Sequence, residues 1–351
     1  MGRRFHNYAP LVETIGDASS AAEAKCQLNV GQGIALGVVA AAYLALATTL
    51  SLAVGATIQS PSVQKLLMGA VFPVGLIAVV VAVSELSTGN YLVTPLGAMT
   101  GCIHWKHVLY NWAVSYVGNF LGAFLLAVVI IDGAHVLTGA MWGQPWVDLL
   151  TKMVTLKASL SPTEAFWRGF LCIWLVDLAV WQAYRVKDYT ARFLLIWFPT
   201  FTFFTLSLEH SVVNMFLFPA AIFAGADISW RAFLLNNLTP VVLGNVVGGL
   251  FVVGMLYWFS AGLPVVSLSL GNGNPTGSGV HHVQGSYGLL GANLFKGLTV
   301  IAVFFALFPG GAALVSLVMP QGLGVLVPTA VILYLAVVTY LVSLSGRRGE
   351  G

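Results

Sequence analysis

Long apolar segments separated by short polar ones are the feature of this sequence that most restricts its fold. A helix crosses the hydrocarbon core of a membrane in about 20 residues, and the apolar segments supply roughly six to eight such crossings. Only 8% of the 351 residues are Asp, Glu, Lys or Arg, whereas soluble domains carry about 25%. This shortage of charge excludes a soluble globule, and a hydrophobic content of 58% excludes a disordered chain. The sequence therefore predicts an all-α polytopic membrane protein.

The apolar segments divide the chain into a six-helix core and two additional helices. We expect crossings near residues 31–57, 66–84, 106–136, 163–184, 192–224 and 231–259, followed by two more near 287–308 and 322–344. The second is interrupted at residues 85–90 and the fifth at 209–211. The predicted organisation is an N-terminal segment (1–27), the core (28–260), a Gly/Ser/Pro-rich linker (261–286), two additional transmembrane helices (287–346) and a tail (347–351).

The distribution of Lys and Arg predicts the orientation. More of the loop Lys and Arg residues lie on the side of the two termini than on the opposite side, and cytoplasmic loops carry the excess of these residues. The first 27 residues are polar and lack the apolar core of a signal peptide. We therefore expect a multi-pass protein of the cell (cytoplasmic) membrane with both termini, residues 1–27 and 347–351, in the cytoplasm.

An internal repeat predicts the architecture of the core. The third crossing contains Asn111, Gly118-Asn119 and Gly122, and the sixth contains the same residues at the same spacing from Asn237 to Gly248. The two interruptions also match, since Glu85 precedes Asn90 as Glu209 precedes Asn214. Each unit has three crossings, an odd number, so the second copy is inverted. This pattern predicts an inverted-topology repeat in which helices two and five are broken.

The glycines and the breaks favour different roles. Gly118, Gly122, Gly244 and Gly248 form two GxxxG pairs, which are typical of close helix packing in membranes. Unwound backbone at membrane depth is tolerated only inside protein or beside a water-filled cavity. The two matched breaks therefore indicate a central pathway.

Few ionisable residues lie within the crossings, and such residues mark pathways by default. Away from the ends of the crossings, the candidates are Glu85, Asp177, Glu209 and His210. His210 lies at the break of helix five, where imidazole can lend a proton or a charge to a passing ligand; a histidine satisfied by a neighbouring helix is the alternative. We favour Glu85 and Glu209, with Asn90 and Asn214, as supports of the broken segments over direct substrate contacts. The sequence offers no partner for Asp177.

Catalysis, metal binding and nucleic-acid binding have no support in the sequence. The cysteines have no metal-ligand spacing, and the pair His281-His282 in the linker is weak evidence for a metal. The net charge of +3 is spread thinly, whereas nucleic-acid binding requires a basic patch. We therefore predict a protein that is not an enzyme and has no cofactor.

Several motifs together resemble the formate/nitrite transporter family, over roughly residues 10–259. They are Phe72-Pro-Val-Gly-Leu76, Glu85-Leu86-Ser87-Thr88-Gly-Asn90, Lys157 ahead of Arg168-Gly-Phe-Leu-Cys-Ile-Trp-Leu-Val176, Phe203 followed by Glu209-His210-Ser211-Val-Val-Asn214, and Asn237 running into Gly244-Asn245.

The resemblance implies a homopentamer of aquaporin-like protomers that moves small monovalent anions such as formate or nitrite. By motif position it implies that His210 is a central pore histidine, with Thr88, Asn245 and Lys157 as further polar residues of the pore and its vestibule. It also implies that apolar side chains form two constrictions, although such rows in membrane helices usually face lipid or core. The constriction residues are Phe72, Leu76, Leu86, Val176 and Phe203.

The sequence departs from the family pattern at Ser87, where phenylalanine is common, at Ile173, where asparagine is common, and in the two additional helices. A bare anion cannot cross apolar rings cheaply, so we expect a weak-acid anion, most simply formate, to pass with a proton. Nitrite or hydrosulfide is an alternative within the family. A neutral-solute or ammonia-type channel and a membrane subunit that docks an enzyme through the additional helices are rival classes.

Overall fold

A computed structural model describes residues 8–140, 143–262, 264–267, 279–282, 287–318 and 326–347 of the chain. The start of the N-terminal segment, most of the predicted linker and residues 348–351 of the predicted tail lie outside these residues. The regular secondary structure of the described part is helical except for one short hairpin, in which β1 (Pro264–Ser267) pairs antiparallel with β2 (Gly279–His282). The backbone at His281-His282 thus belongs to a strand within the predicted Gly/Ser/Pro-rich linker.

The first half of the core contains six helices. They are α1 (Leu11–Cys26), α2 (Val30–Gly55), α3 (Pro61–Val71), α4 (Pro73–Val81), α5 (Ser87–Met99) and α6 (Trp105–Val128), the last extended by a π-helical turn, Val129–Gly133. Asn29 and Gln32 form a reciprocal capping box that starts α2. Pro73 divides the second crossing into α3 and α4, because proline has no N–H to donate to the preceding turn.

The second half repeats this plan. Its helices are α7 (Gly143–Ala158), α8 (Pro162–Arg185), α9 (Tyr189–Thr205), α10 (Ser211–Phe223), and a sixth crossing made of α11 (Thr239–Val247) and α12 (Leu256–Ser260) with the π-helical segments Ala232–Leu238 and Gly248–Met255. Ser161 and Glu164 form the capping box of α8. Helices α1 and α7 were not predicted, because they are amphipathic rather than apolar.

Among the described residues, five helices are long and apolar enough to cross a membrane: Val30–Gly55, Pro61–Val81, Trp105–Gly133, Ala232–Ser260 and Leu290–Leu317. The helices Ser211–Phe223 and Val327–Val342 are shorter and also apolar. Helix α8 matches the others in length, but Arg168 and Asp177 lower its mean hydropathy. The all-α polytopic fold is therefore the one predicted, with a fourth crossing that is more polar than the rest.

The predicted glycines bring the crossings of each half together. A Cβ on Gly37 of α2 would lie 3.0 Å from the Cα of Gly118 in α6. A Cβ on Gly244 of α11 would overlap the carbonyl oxygen of Phe166 in α8. Only glycine permits such close backbone approach, so the prediction of glycine-mediated packing is confirmed.

The C-terminal extension consists of α13 (Tyr287–Phe305), a π-helical turn (Ala306–Gly310), α14 (Gly311–Val318) and α15 (Leu326–Arg347). It packs against α6 and the sixth crossing. The Trp105 indole N–H donates to Asn293 at 3.2 Å. The ring of Phe304 contacts three core side chains, Tyr91, Trp112 and Tyr116. The extension is therefore a docked part of the helical bundle.

Candidate pore at the two helix breaks

The two broken crossings are interrupted at equivalent places, residues 82–86 between α4 and α5 and residues 206–210 between α9 and α10. Val83 has a φ of 54° and Ser207 a φ of 55°, so the chain turns in the left-handed region at matching points of the repeat. That conformation is strained for a β-branched residue such as Val83. Strain of this kind persists only where surrounding contacts hold it.

A buried polar network holds the first break. Lys25 of α1 forms an ion pair with Glu85, with Nζ 2.6 Å from Oε1. The other carboxylate oxygen of Glu85 accepts from the side-chain amides of Asn90 at 2.8 Å and Asn111 at 3.1 Å. Only 3% of the Glu85 side chain is exposed. The carboxylate is thus neutralised by one cation and solvated by two amides.

The second break has the same network. Lys157 of α7 pairs with Glu209 at 2.7 Å, and the Glu209 carboxylate accepts from Asn214 at 2.7 Å and Asn237 at 3.1 Å. The support role predicted for Glu85, Asn90, Glu209 and Asn214 agrees with these contacts. Lys157, which the resemblance placed in a vestibule, holds Glu209 and keeps 11% of its side chain exposed.

Two asparagines fix the backbone of the breaks. The Asn119 side chain accepts from the N–H of Ser87 at 2.8 Å and donates to the carbonyls of Glu85 and Gly37. Asn245 does the same in the second half, accepting from Ser211 at 3.0 Å and donating to Glu209 and Gly169. The resemblance implied a place near the pore for Asn245, which stays a prediction; its observed hydrogen bonds make it a brace, like Asn119.

His210 and Thr88 join the two breaks. Thr88 Oγ1 lies 3.1 Å from His210 Nε2, and both residues are buried. His210 also caps α10, because its Nδ1 accepts from the Val213 N–H at 3.3 Å. Since Nδ1 accepts, the neutral ring carries its proton on Nε2 and donates it to Thr88. The N-termini of α5 and α10 therefore meet at one hydrogen bond.

Apolar side chains lie on both sides of this bond. The Phe203 ring stacks on His210, with centroids 5.8 Å apart, and Phe72 packs edge-on against Phe203 at 5.5 Å. Leu76 and Leu86 instead line a cavity of about 690 Å³ on the α1 side of the first break, which we call the α1-side cavity. Val176 is buried on α8. The predicted constriction residues thus fall into separate groups.

The α1-side cavity reaches the first polar network. Lys25 and Glu85 line it, together with three further charged residues, Asp17, Lys187 and Arg192. Cys26, at the end of α1, is a partly buried thiol whose pKa is raised to about 12, mainly by burial and then by the charge of Glu85. This thiol is therefore protonated and is not a reactive group of the cavity.

Sequence reasoning missed Lys25, Asn111 and Asn119 as members of the site. The repeat contains the signal that could have found Lys25, because it precedes Gly37 by the same spacing as Lys157 precedes Gly169. The asparagines were recognised as repeat markers, but their partners lie on other crossings: the Glu85 carboxylate for Asn111, and backbone groups of Ser87, Glu85 and Gly37 for Asn119. Among the described residues, no cluster of His, Cys, Asp or Glu could hold a metal ion.

Two halves of three crossings each, whose broken crossings meet at a buried histidine, define a membrane transport protein rather than an enzyme. The family model described as "Formate/nitrite transporter" matches residues 12–259. The chain belongs to the formate/nitrite transporter family, whose members are channels and transporters. The match ends before α13, so the C-terminal extension lies outside it.

Curated relatives and solved structures agree with this assignment. The chain is 37% identical to a probable formate transporter of Methanothermobacter thermautotrophicus, over 74% of this chain and 98% of the relative. It is 35% identical to the nitrite transporter NirC of Salmonella typhimurium, over 63% and 80% of the two chains. A solved pentameric formate channel with formate bound matches at a TM-score of 0.59 and 30% identity, over 66% of this chain and 97% of that one.

Proposed function

We propose that this protein carries small monovalent weak-acid anions, formate foremost, across the cytoplasmic membrane together with a proton. The hydrogen bond between Thr88 and His210 carries this proposal, because it places a titratable ring between the N-termini of two half-helices. Helix N-termini attract anions. An anion that reaches the breaks therefore meets positive helix dipoles and an imidazole together.

Apolar side chains supply the reason for proton coupling. Phe72 and Phe203 pack beside His210, and Leu76 and Leu86 lie at the α1-side cavity. A charged group loses its hydration among such side chains without replacement, whereas the neutral acid does not. The anion therefore crosses after gaining a proton, and His210 donates it or sets the field that favours its uptake from water.

Lys and Arg residues attract the anion before it reaches the breaks. Lys187 and Arg192 line the α1-side cavity, and Lys157 keeps part of its side chain exposed on the opposite side. The lining of the α1-side cavity is positive on balance, because Lys25, Lys187 and Arg192 outnumber Asp17 and Glu85, and a positive mouth raises the local concentration of anions. We assign the α1 side to the cytoplasm, from the Lys and Arg balance.

We also propose that the protein is a homopentamer in which each protomer contains its own pore. The support is its similarity to the pentameric formate channel. Nitrite is the second candidate substrate, because the nitrite transporter NirC is similar at 35% identity.

Uptake into proteoliposomes tests the proposal. Formate, nitrite, hydrosulfide, acetate and ammonia are compared by stopped flow at pH values below and above about 6.5, the ordinary pKa of histidine. We expect fast formate uptake that increases at low pH. Ammonia flux without anion flux would contradict an anion pathway, and formate flux independent of pH would contradict proton coupling.

The matched variant is His210→Asn. Asparagine is a good N-cap residue, so it can still accept from the Val213 N–H and preserve α10 while removing the imidazole. We expect this variant to fold and to lose the pH dependence of formate uptake. An unchanged pH profile would remove His210 from the pathway.

A further inference from the structure

Asp177 on α8 is a buried carboxyl group outside both ion-pair networks. None of its surface is exposed, and neither carboxylate oxygen has a hydrogen-bond partner among the described residues. Glu85 and Glu209 show how this fold treats a buried carboxylate, since each has a lysine and two amides. Asp177 has no such arrangement, and the pathway described above does not use it.

Polar groups near Asp177 also lack hydrogen-bond partners among the described residues. A Cβ on Gly249 would lie 2.6 Å from Asp177 Oδ2 and 3.0 Å from Tyr91 Cβ, so the carboxyl group lies where the π-helical segment of the sixth crossing meets α5. Tyr91 Oη interacts with the Ser87 hydroxyl, one turn earlier on α5. The hydroxyl oxygens of Tyr91 and Ser87 have no well-formed hydrogen bond within the described residues. The same holds for the indole nitrogen of Trp181, which lies one turn after Asp177 on α8.

The repeat shows that the fold does not require these polar groups. Ala45 occupies the position of Asp177 in the first half, because it follows Gly37 by the same spacing as Asp177 follows Gly169. By the same comparison Met215 matches Tyr91 and Ala123 matches Gly249. All three counterparts are buried and apolar. The polar cluster is therefore an addition to one half of an architecture that also packs with alanine.

An unpartnered charge within the membrane is expensive, so the stable form of such a carboxyl group is the neutral acid. A neutral carboxyl is a proton donor. The neighbouring groups favour a proton over a metal ion, because the Trp181 N–H can only donate and cannot ligate a cation. The hydroxyls of Tyr91 and Ser87 can both donate and accept, as water does, and can pass a proton.

Neighbouring residues connect the cluster with the α1-side cavity and with the helix breaks. Val180 and Tyr184, one and two turns after Asp177 on the same face of α8, line the cavity. In the other direction, Ser87 is the neighbour in sequence of Thr88, which bonds His210. These neighbours suggest a route for a proton from the cavity to Asp177 and from Asp177 towards the breaks.

We infer that Asp177 is a proton-binding site that takes its proton from the α1-side cavity and delivers it, through Tyr91 and Ser87, to the anion at the helix breaks. In the delivery step the O–H bond of the Asp177 carboxyl breaks and an O–H bond forms on the anion. The carboxylate then regains a proton from water of the cavity. This inference rests on the proposed function.

Few other ionisable groups act on Asp177. Between Ala232 and Met255 the sixth crossing, which packs along α8, has no ionisable side chain. The ionisable groups on the other elements packed against α8, and on α8 near Asp177, are Tyr91 of α5, Cys172 and Tyr184 of α8, Glu13, Asp17, Glu23, Lys25 and Cys26 of α1, Tyr189 and Arg192 of α9, and Tyr257 of α12, which stacks on Trp181. Of these, Tyr91 and Cys172 interact with Asp177 electrostatically.

Infrared spectroscopy of the reconstituted full-length protein tests the site without transport. We expect the wild type to show the carbonyl stretch of a protonated carboxyl that Asp177→Asn lacks, and we expect D₂O to shift this band. Asp177→Ala is the second variant. We expect it to fold, because Ala45 occupies the equivalent position in the first half of the repeat. A spectrum without a difference band, or a band that D₂O does not shift, would overturn the inference.

Formate uptake tests the delivery step. We expect Asp177→Asn to match the wild type at acidic pH, where the free acid is abundant, and to be slower by about 10²-fold at neutral pH, the size typical of a lost proton-transfer group. Equal pH profiles of formate uptake for Asp177→Asn and the wild type would overturn the delivery step. If the wild type moves no formate at all, the proposed function fails, while the infrared result still decides whether Asp177 binds an exchangeable proton.

Discussion

At the scale of single residues, the breaks depend on buried carboxylates whose charge would be destabilising without partners. Glu85 and Glu209 are almost fully buried, and each is matched by a lysine and two amide donors. A buried ion pair adds little net stability, but removing one partner leaves an uncompensated charge. The networks therefore make the geometry of each break specific.

Lys157→Met should destabilise the protein by about 3–5 kcal/mol, because Glu209 then lacks its cation. The double variant Lys157→Met/Glu209→Gln should be more stable than the single one. Chemical denaturation in detergent measures both. Lys187→Met is the control: Lys187 pairs with Glu13 at 3.6 Å on an exposed surface, where a pair contributes about 0–1 kcal/mol. Equal losses for Lys157→Met and Lys187→Met would contradict a special role for the buried pair.

Thr88→Val should weaken the junction of the two half-helices. The His210 Nε2–H then has no acceptor, at a cost of about 1–3 kcal/mol. Val212 already stands at the position equivalent to Thr88, so valine fits this turn. Thermal denaturation of Thr88→Val is compared with that of Thr88→Ser, which keeps the hydroxyl. If the serine variant is as unstable as the valine variant, the hydrogen bond is not the cause.

At the scale of elements, the glycines decide how closely the crossings pack. Helix association in a membrane lacks the hydrophobic driving force and depends on close contact. Gly37 meets Gly118 between α2 and α6, and Gly244 meets Phe166 between α11 and α8. These contacts place Asn119 and Asn245 within reach of the breaks that they brace.

Gly244→Ala should therefore destabilise the protein by about 1–3 kcal/mol, the usual cost of overpacking. Its Cβ would overlap the Phe166 carbonyl. Gly291→Ala on α13 is the matched control, since a Cβ there meets nothing within 4 Å. We expect the control to be neutral or slightly stabilising, because alanine favours helix. A similar melting temperature for both variants would count against close packing at Gly244.

At the scale of the whole molecule, the extension completes the bundle by aromatic contacts. Phe304 lies among Tyr91, Trp112 and Tyr116 and stacks on Phe308, with centroids 5.3 Å apart. Tyr91 belongs to the polar cluster around Asp177, so the extension also covers that cluster.

Phe304→Ala should loosen the extension. Each aromatic pair contributes about 0.5–1.5 kcal/mol, and this change removes several at once. Phe295→Ala is the control, because Phe295 lies on the same helix and is 72% exposed. Limited proteolysis between α12 and α13, followed by native gel analysis, should release the extension from the Phe304 variant only. Release from neither variant would show that the aromatic cluster is dispensable for docking.

The sequence alone determined the membrane-spanning character, the two-fold repeat, the broken helices and the residues Thr88, His210, Glu85 and Glu209. These follow from hydropathy, spacing and motif, which are local in the chain. The amphipathic helices α1 and α7 escaped prediction, because their apolar residues cover only one face.

Only the tertiary structure decided which side chains contact each other at the breaks. Lys25 meets Glu85 and Asn245 meets the backbone of the second break, although each pair lies far apart in the chain. It also decided that Asp177 lies beside Tyr91 with no hydrogen-bond partner among the described residues and that the extension docks through Phe304. Contacts of this kind depend on how closely crossings from different parts of the chain approach, and hydropathy and spacing do not contain that information.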